Sequence, residues 1–186
     1  FYPESEFALS SLLPLPGKVL EIGRTCIHPD FRNGLTIQTL WMGLASFMET
    51  HRVDYLFGCA SISLDSGVQV VQKMLGRLQE KYAAPERFSV TPRHSFSSLE
   101  RVMDGDSDHQ KLPPLLSAYV RLGAWVVGEP CVDTDFNCVD VFILLDVDNL
   151  SARYRRHFVD GQRSASASRD VAGGIGLGLV AAPKRN

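Results

Sequence analysis

A strand–helix–strand pattern over residues 18–62 constrains the fold of this sequence more than any other feature. Residues 18–27 form an almost continuous apolar segment that predicts a strand, and residues 55–62 form another that suits an interior parallel strand. Between them, apolar residues recur at helical spacing after Asn33, which is a suitable N-cap. These residues are Ile37, Leu40, Trp41, Leu44 and Met48. A βαβ unit within an α/β fold is therefore expected.

The rest of the chain predicts two further helices and a pair of strands. The predicted elements are a helix over residues 66–82, a loop over 83–111 with a short strand near 88–91, a helix over 113–122, and strands over 124–132 and 137–148. Pro113 fits the first turn of the later helix, and Gly123 fits its end. Because a polar corner at residues 133–135 joins the last two strands, we expect them to be antiparallel. The sheet should therefore be mixed.

Composition favours one ordinary globular domain followed by a segment of different character. The 186 residues carry a formal net charge of −2, with 45% hydrophobic and 22% charged residues. That apolar content is sufficient for a core without disulfides or a structural metal. Residues 161–186 are rich in Gly, Ser and Ala and contain no aromatic residue, so we expect a domain over 1–160 and a flexible tail over 161–186. The alternating glycines at 173–178 lack the preceding strand of a dinucleotide loop.

Charge, hydropathy and cysteine spacing exclude several classes of protein. The balanced charge excludes nucleic acid as a partner, because phosphate contacts need a basic stripe. No apolar run is long enough to cross a bilayer, and the first residues lack a signal-peptide pattern, so we expect a cytoplasmic protein. No two of the four cysteines form a CxxC motif, and this spacing favours reduced thiols. The five histidines show no paired ligand spacing, and no metal site is predicted.

The loop between the first strand and the first helix offers a candidate phosphate site. A strand that runs into a glycine-containing loop and a helix N-terminus directs free backbone N–H groups toward one point, where the helix dipole also favours an anion. The residues that would supply these groups are Arg32, Asn33, Gly34, Leu35 and Thr36. Such turns also contain glycine for steric reasons alone, so a purely structural loop is the alternative.

Several long sequence runs together resemble one bacterial protein family. The runs are LEIGRTCIHPDFRNG at residues 20–34, YLFGCAS at 55–61, LPPLL at 112–116, YVRLGA at 119–124, DTDFN at 133–137 and ARYRRHF at 152–158. In these runs the chain resembles the ornithine lipid N-acyltransferases, a GNAT-type family often called hemolysin-like. The resemblance covers residues 1–158.

The resemblance implies a GNAT-like fold, with a mixed central sheet and flanking helices. Only 17 residues precede the first predicted strand, so the N-terminal strands of such a domain are expected to be missing from this chain. The implied reaction moves a 3-hydroxyacyl chain from acyl carrier protein to the α-amino group of ornithine. The resemblance further implies a peripheral contact with the inner membrane.

The implied acyl donor is the phosphopantetheine arm of acyl carrier protein, with no permanently bound cofactor. GNAT enzymes that use coenzyme A usually place a second small residue in the loop around the pyrophosphate. Here Gly34 is followed by Leu35 and Thr36. Because a carrier arm ends in a single phosphodiester and needs fewer converging amides, this departure favours carrier protein.

Three residues at the end of the first strand are the predicted catalytic group. Glu21 is a carboxylate in an otherwise apolar strand, and it is the first candidate for the base that deprotonates the amine. Arg24 would lie on the opposite face of an ideal strand, but the resemblance implies a bulge that turns both residues toward the cleft. His28 is a further candidate base. The structural alternatives are a buried Glu–Arg pair and a histidine that caps the loop.

Cys59, Ser61, Asp133 and Asp135 are assigned to substrate binding. The two aspartates suit the ammonium groups of ornithine, as does Asp140, although turn chemistry alone would also explain them. A covalent acyl-enzyme at Cys59 is disfavoured because no adjacent base is apparent in the sequence. The expected mechanism is direct attack by the amine.

Lys73, Arg77 and Lys81 recur every four residues and are the predicted docking surface for acidic acyl carrier protein. An ordinary solvated helix face is the alternative. Two other functions also stay open. One is a noncatalytic remnant that binds an acyl chain or the carrier protein. The other is an acyltransferase like the autoinducer synthases, which also carry Glu-x-x-Arg in this strand.

Overall fold

The computed structural model describes residues 1–12, 14–23, 26–96 and 111–150. The helices are α1 (Gly34–His51), α2 (Val68–Tyr82) and α3 (Pro114–Leu122). The strands are β1 (Phe7–Ala8), β2 (Val19–Glu21), β3 (Tyr55–Ser63), β4 (Thr91–Pro92), β5 (Trp125–Val126), β6 (Cys131–Asp133) and β7 (Cys138–Asp146). The predicted α/β class and the βαβ unit β2–α1–β3 are confirmed.

A mixed five-stranded sheet organises the described residues. Its order is β2-β3-β7-β5, and β6 also pairs with β7. β2 is parallel to β3, whereas β3 and β7 are antiparallel along their whole length, from Tyr55 opposite Asp146 to Ser63 opposite Cys138. β1 and β4 form a separate antiparallel pair. The mixed sheet expected from the sequence is confirmed.

Two predicted strands differ from the structure. The strand predicted over residues 18–27 is regular only from Val19 to Glu21, because β2 separates from β3 after the Ile22 N–H donates to the Phe57 carbonyl oxygen at 2.8 Å. The strand predicted over 124–132 is divided into β5 and β6. Gly128 has a φ of 68°, which interrupts extended backbone. The short strand predicted near 88–91 lies at Thr91–Pro92.

Both ends of α1 follow from local chemistry. The Asn33 side chain accepts hydrogen bonds from the Thr36 backbone N–H at 2.9 Å and from the Thr36 hydroxyl at 3.1 Å, which confirms the predicted N-cap. The helix ends at Arg52, whose φ of 51° places it in the left-handed region. α2 and α3 begin two residues and one residue later than predicted and end where predicted.

The two faces of the sheet pack against different partners. Leu56, Ala60 and Ile62 belong to the apolar cluster that also contains residues of α1, α2 and α3. Phe57 faces the other way, where its ring stacks on Phe142 with centroids 5.5 Å apart. The second face is covered by the first residues of the chain and by residues 84–92. This division places helices on one side of the sheet and the N-terminal segment on the other.

Several predictions lie outside the described residues. They are the flexible tail over 161–186, the position of Arg24, and the whole ARYRRHF run at 152–158. The domain boundary at residue 160 therefore stays a prediction. Among the described residues, no helix is long and apolar enough to span a membrane.

Candidate active site

β2 and β3 stop pairing just after a point where their backbones lie very close together. Gly58 has no side chain, and a Cβ atom at this position would overlap the carbonyl oxygen of Ile22. Beyond Ile22 the structure has no further β2–β3 pairing in the described residues. The two strands therefore open into a gap next to Gly58.

A large apolar cavity opens from this gap on the helical face. Its volume is about 660 Å³. Its lining residues are Ile22, Cys26, Ile27, Arg32, Asn33, Gly34, Ile37, Leu40, Trp41, Leu44, Pro114, Leu115 and Tyr119. A smaller apolar cavity of about 250 Å³ shares Trp41 and Leu44 with it. These two side chains therefore stand between two apolar spaces.

Trp41 and Tyr119 form one wall of the larger cavity. Their rings meet edge to face, with centroids 5.2 Å apart. Burial raises the pKa of Tyr119 to about 12, so its hydroxyl stays protonated at neutral pH. The wall thus combines an apolar surface with one hydrogen-bond donor.

The predicted phosphate loop lies at the other end of this cavity, and Arg32, Asn33 and Gly34 line it. The Asn33 side chain already occupies the Thr36 N–H, so Thr36 is not available as an amide donor. Within the described residues, the N–H groups of Gly34 and Leu35 have no hydrogen-bond partner. The Arg32 Nε–H donates to the Ile27 carbonyl oxygen at 3.0 Å, which holds the arginine against the loop.

A second, acidic cavity of about 480 Å³ lies beside the same gap. It is lined by Tyr2, Pro3, Glu6, Glu21, Ile22, Gly23, Cys59, Ser61, Ser63, Asp133, Phe136, Cys138 and Asp140. The sequence assigned four of these residues to the site, namely Glu21, Cys59, Ser61 and Asp133. Because Ile22 lines both the acidic cavity and the larger apolar cavity, the two spaces meet at the gap.

Asp140 is the most deeply buried charged group of the acidic cavity, with only 3% of its surface exposed. Its Oδ1 accepts a hydrogen bond from the Ser61 hydroxyl at 2.6 Å, across the β3–β7 register. Burial raises the pKa of Asp140, and hydrogen bonds from neighbours such as Ser61 oppose this shift. In the sequence, Asp140 interrupts an otherwise apolar strand, which is the signal that favours a role for it.

Glu6 is a site residue that the sequence reasoning missed. Burial raises its pKa to about 7, and the charge of Asp140 adds to the shift. Its Oε2 is buried and has no hydrogen-bond partner among the described residues. No periodic pattern surrounds Glu6, so the sequence gives no reason to place residues 1–12 against β3 and β7.

Glu21 and Cys59 line the acidic cavity as neighbours of the gap. The Tyr2 backbone N–H donates to both carboxylate oxygens of Glu21, at 3.3 and 3.2 Å. Burial raises the pKa of the Cys59 thiol, with the Glu6 carboxyl as a further cause. A neutral thiol is a poor nucleophile, which agrees with direct attack by an amine.

Some predicted residues lie away from both cavities. His28 is exposed, and its Nδ1 accepts from the Asp30 N–H at 3.4 Å, so it caps the short helix Pro29–Phe31. Asp135 is exposed and donates its N–H to the Asp133 carboxylate at 2.9 Å, as in an Asx turn. The structure does not bring either residue to the acidic cavity, and their functional assignments stay predictions.

The remaining assignments concern docking and metal binding. Lys73, Arg77 and Lys81 are exposed on α2, which lines neither cavity, so the docking surface stays a prediction. Ligand atoms of Asp133, Cys138 and Asp140 lie within 4.8 Å of one another. Exposed and buried carboxylates often cluster without an ion, and Asp140 is already hydrogen bonded to Ser61. The expectation of no metal therefore also stays a prediction.

Comparisons with known proteins find one family model and several relatives that are similar in sequence to this chain. Residues 1–42 match the family model of the acetyltransferase (GNAT) domain. An L-ornithine N(alpha)-acyltransferase of Rhodobacter capsulatus is 34% identical over 163 residues, which are 85% of this chain and 62% of that protein. Proteins of the same name from Rhizobium meliloti and Brucella abortus are 33% and 30% identical over 85% of this chain, which covers 55% and 58% of their lengths. No solved structure matches the chain.

The mixed sheet, the diverging β2–β3 pair and the loop before α1 define a GNAT-like fold, and the predicted fold is confirmed. Over 85% of its length, the chain is similar in sequence to proteins named L-ornithine N(alpha)-acyltransferase. It spans between 55% and 62% of the length of the three relatives described above.

Proposed function

We propose that this chain contributes the catalytic cleft of an N-acyltransferase that moves a 3-hydroxyacyl group from acyl carrier protein to the α-amino group of ornithine. The observation that carries this proposal is the meeting of two unlike cavities at one gap in the sheet. The larger is apolar and suits an acyl chain, and the other carries Glu6, Glu21, Asp133 and Asp140, which suit a cationic amine. The names of the curated relatives support ornithine as the acceptor and an acyl group as the group transferred.

In the proposed binding mode, the thioester lies in the gap beside Ile22 and Gly58. The pantetheine arm runs toward the loop at Arg32–Gly34, where the free N–H groups of Gly34 and Leu35 face an anionic phosphodiester at the N-terminus of α1. The acyl chain lies against Trp41 and Tyr119. Ornithine enters from the acidic cavity, so that its nitrogen and the thioester carbon approach each other from opposite faces of the sheet.

The chemistry requires two proton transfers. The amine arrives as an ammonium ion and must lose one proton before its nitrogen attacks the thioester carbonyl carbon. A C–N bond forms, the C–S bond breaks, and the sulfur leaves as a thiolate while the nitrogen loses its second proton. One of these protons neutralises the thiolate, and the other leaves the site. The neutral hydroxyl of Tyr119 is suited to donate a hydrogen bond that stabilises the leaving thiolate, without transferring its proton.

Glu21 keeps a catalytic assignment in this proposal because its carboxylate lies next to Ile22, where the cavities meet. Arg24 and His28 stay predictions of the sequence. Docking of the acidic carrier protein on Lys73, Arg77 and Lys81 is proposed as the source of donor specificity, since exposed cationic side chains steer an acidic partner.

The proposal is tested by incubating the chain with 3-hydroxyacyl carrier protein and an amine, with lyso-lipid formation followed by mass spectrometry. We expect N-acylated ornithine as the product, with lysine a poorer acceptor and glutamate inactive, because the acidic cavity repels the side-chain carboxylate of glutamate. Glu21→Gln should lower kcat by roughly tenfold to a hundredfold. Exposed Glu80→Gln on α2 is the matched control and should not change kcat.

Two outcomes would count against the proposal. Binding of the acyl carrier protein without thioester loss, whichever amine is present, would favour the noncatalytic remnant. Thioester loss that depends on S-adenosylmethionine and not on ornithine would favour an enzyme like the autoinducer synthases.

A further inference from the structure

Glu6 lines the acidic cavity, as does the exposed Phe136. The next residue, Phe7, is completely buried and pairs with Pro92. The Glu6 carbonyl oxygen accepts a hydrogen bond from the Arg93 N–H at 2.7 Å. Backbone and core packing therefore fix the carboxyl group in one position, even though the segment contains only a two-residue strand.

The described residues around Glu6 are acidic and include no lysine or arginine side chain in the cavity lining. The titratable groups that act on it or share its cavity are Tyr2 of the N-terminal segment, Glu21 of β2, Cys59 of β3, Cys131 and Asp133 of β6, and Cys138 and Asp140 of β7. No lysine or arginine is among the described residues that line the cavity. Two carboxyl groups in contact without a cation cannot both ionise readily, and they are expected to share a proton.

We propose that Glu6 and Asp140 form a proton-sharing carboxyl pair, and that Glu6 Oε2 accepts the proton released by the acceptor amine. Asp140 is held by the Ser61 hydroxyl and by the Cys138 thiol, so it is the member whose ionised form is stabilised by hydrogen bonds. Glu6 Oε2 is buried without a partner, so it is the member with an open acceptor position. This inference rests on the proposed N-acyl transfer.

The roles of the two glutamates then differ. Both oxygens of Glu21 are engaged by the Tyr2 N–H, so Glu21 holds the N-terminal segment and offers negative charge to the substrate ammonium group. Glu6 carboxylate receives the first proton of the ammonium ion and becomes a neutral acid, and the attacking nitrogen keeps its lone pair. The second proton of the nitrogen passes to the thiolate, so the pair starts the next cycle after Glu6 loses its proton to water.

The pair can be tested without turnover, by carbon-13 NMR of carboxyl groups in the chain labelled at glutamate, with Glu6→Gln used to assign the signal. We expect the Glu6 signal to titrate near pH 7. Ornithine added as the probe should lower this midpoint by about one unit, because a bound cation favours the carboxylate. Asp140→Asn should also lower the midpoint of the Glu6 titration. If that variant does not fold, Asp133→Asn gives a second, weaker test of the same shift. A midpoint near 4.5, the ordinary value, would overturn the pair.

Stability against pH gives an independent readout. The Glu6 carboxyl of the folded chain stays protonated up to about pH 7, whereas that of the unfolded chain ionises around 4.5. Between these values the folded chain binds more protons, so raising the pH lowers stability until both states are ionised. The melting temperature should therefore fall more in the unmodified chain than in Glu6→Gln over this window. Equal falls in both proteins would contradict a protonated Glu6.

The pH dependence of turnover tests the catalytic part. The logarithm of kcat/KM for ornithine should rise toward a plateau above about pH 7 as the pair of the free enzyme loses its proton, and Glu6→Gln should remove this rise and lower the plateau by roughly a hundredfold. Glu21→Gln should lower the rate but keep the rise. An unchanged profile in Glu6→Gln would exclude Glu6 as the proton acceptor. A different result is possible, in which the NMR midpoints are as expected but the chain transfers no acyl group. That result would refute the proposed function and, with it, the catalytic role of the pair.

Discussion

Gly58→Ala is expected to lower the rate of acyl transfer strongly and to destabilise the fold. The new Cβ atom would overlap the Ile22 carbonyl oxygen, which belongs to the backbone and cannot turn away as a side chain could. β2 and β3 would have to move apart at the point where the Ile22 N–H bonds to Phe57. Overpacking of this kind costs roughly 1–3 kcal/mol. Because the gap also positions the thioester, a displacement of about 1 Å should lower kcat by roughly a hundredfold.

The matched control for this variant is Gly76→Ala in α2. Gly76 is exposed within the helix, and no atom lies within 4 Å of a Cβ atom built there. The change should raise the free energy of unfolding by about 0.5–1 kcal/mol and leave kcat unchanged. Urea unfolding and the acyl-transfer assay measure both effects. Full activity of Gly58→Ala would contradict the placement of the reaction at this gap.

Trp41→Ala is expected to shift the preferred acyl chain toward longer donors. Trp41 and Leu44 separate cavities of about 660 and 250 Å³, and loss of the indole ring would join them. Each further methylene that enters the enlarged space should gain about 0.8 kcal/mol, or a factor of about four in kcat/KM. The measurement compares kcat/KM for carrier-bound donors of increasing chain length.

Trp125→Ala is the matched control, because Trp125 is the second of the two tryptophans and packs against Phe88 in the cluster on the other face of the sheet. Both variants lose an indole ring and some stability, but the Trp125 variant should keep the original order of donor preference. A chain-length shift of equal size in both variants would mean that the apolar cavity does not hold the acyl chain.

The fold could be predicted from the sequence wherever one pattern dominated. The βαβ unit was indicated by Asn33 as N-cap, by the apolar face of α1 and by the apolar segment of β3, and the structure contains this unit. The end of β2 could not be predicted, because Ile22, Cys26 and Ile27 continue the apolar pattern although none of them belongs to the strand. The side chains of Ile22, Cys26 and Ile27 form part of a cavity wall. Hydropathy does not distinguish this use of apolar residues from a strand.

The site could be predicted only where the residues lay on regular elements. The sequence indicated Glu21 because a carboxylate is conspicuous in the apolar strand β2. Strand alternation puts Cys59 and Ser61 on one face of β3. Glu6 could not be found, because its position depends on the docking of an irregular segment against β3 and β7. Asp135 appeared equivalent to Asp133 in sequence, yet the turn directs only Asp133 to the cavity.

The most direct test of the central claim is a crystal structure of the chain with 3-hydroxyacyl carrier protein, in which an amide replaces the thioester of the phosphopantetheine arm. The account predicts the arm between β2 and β3, the acyl chain against Trp41 and Tyr119, and the amide carbonyl beside Ile22, open to the acidic cavity. An acyl chain bound in the acidic cavity, or an arm that does not enter the gap at Gly58, would contradict it.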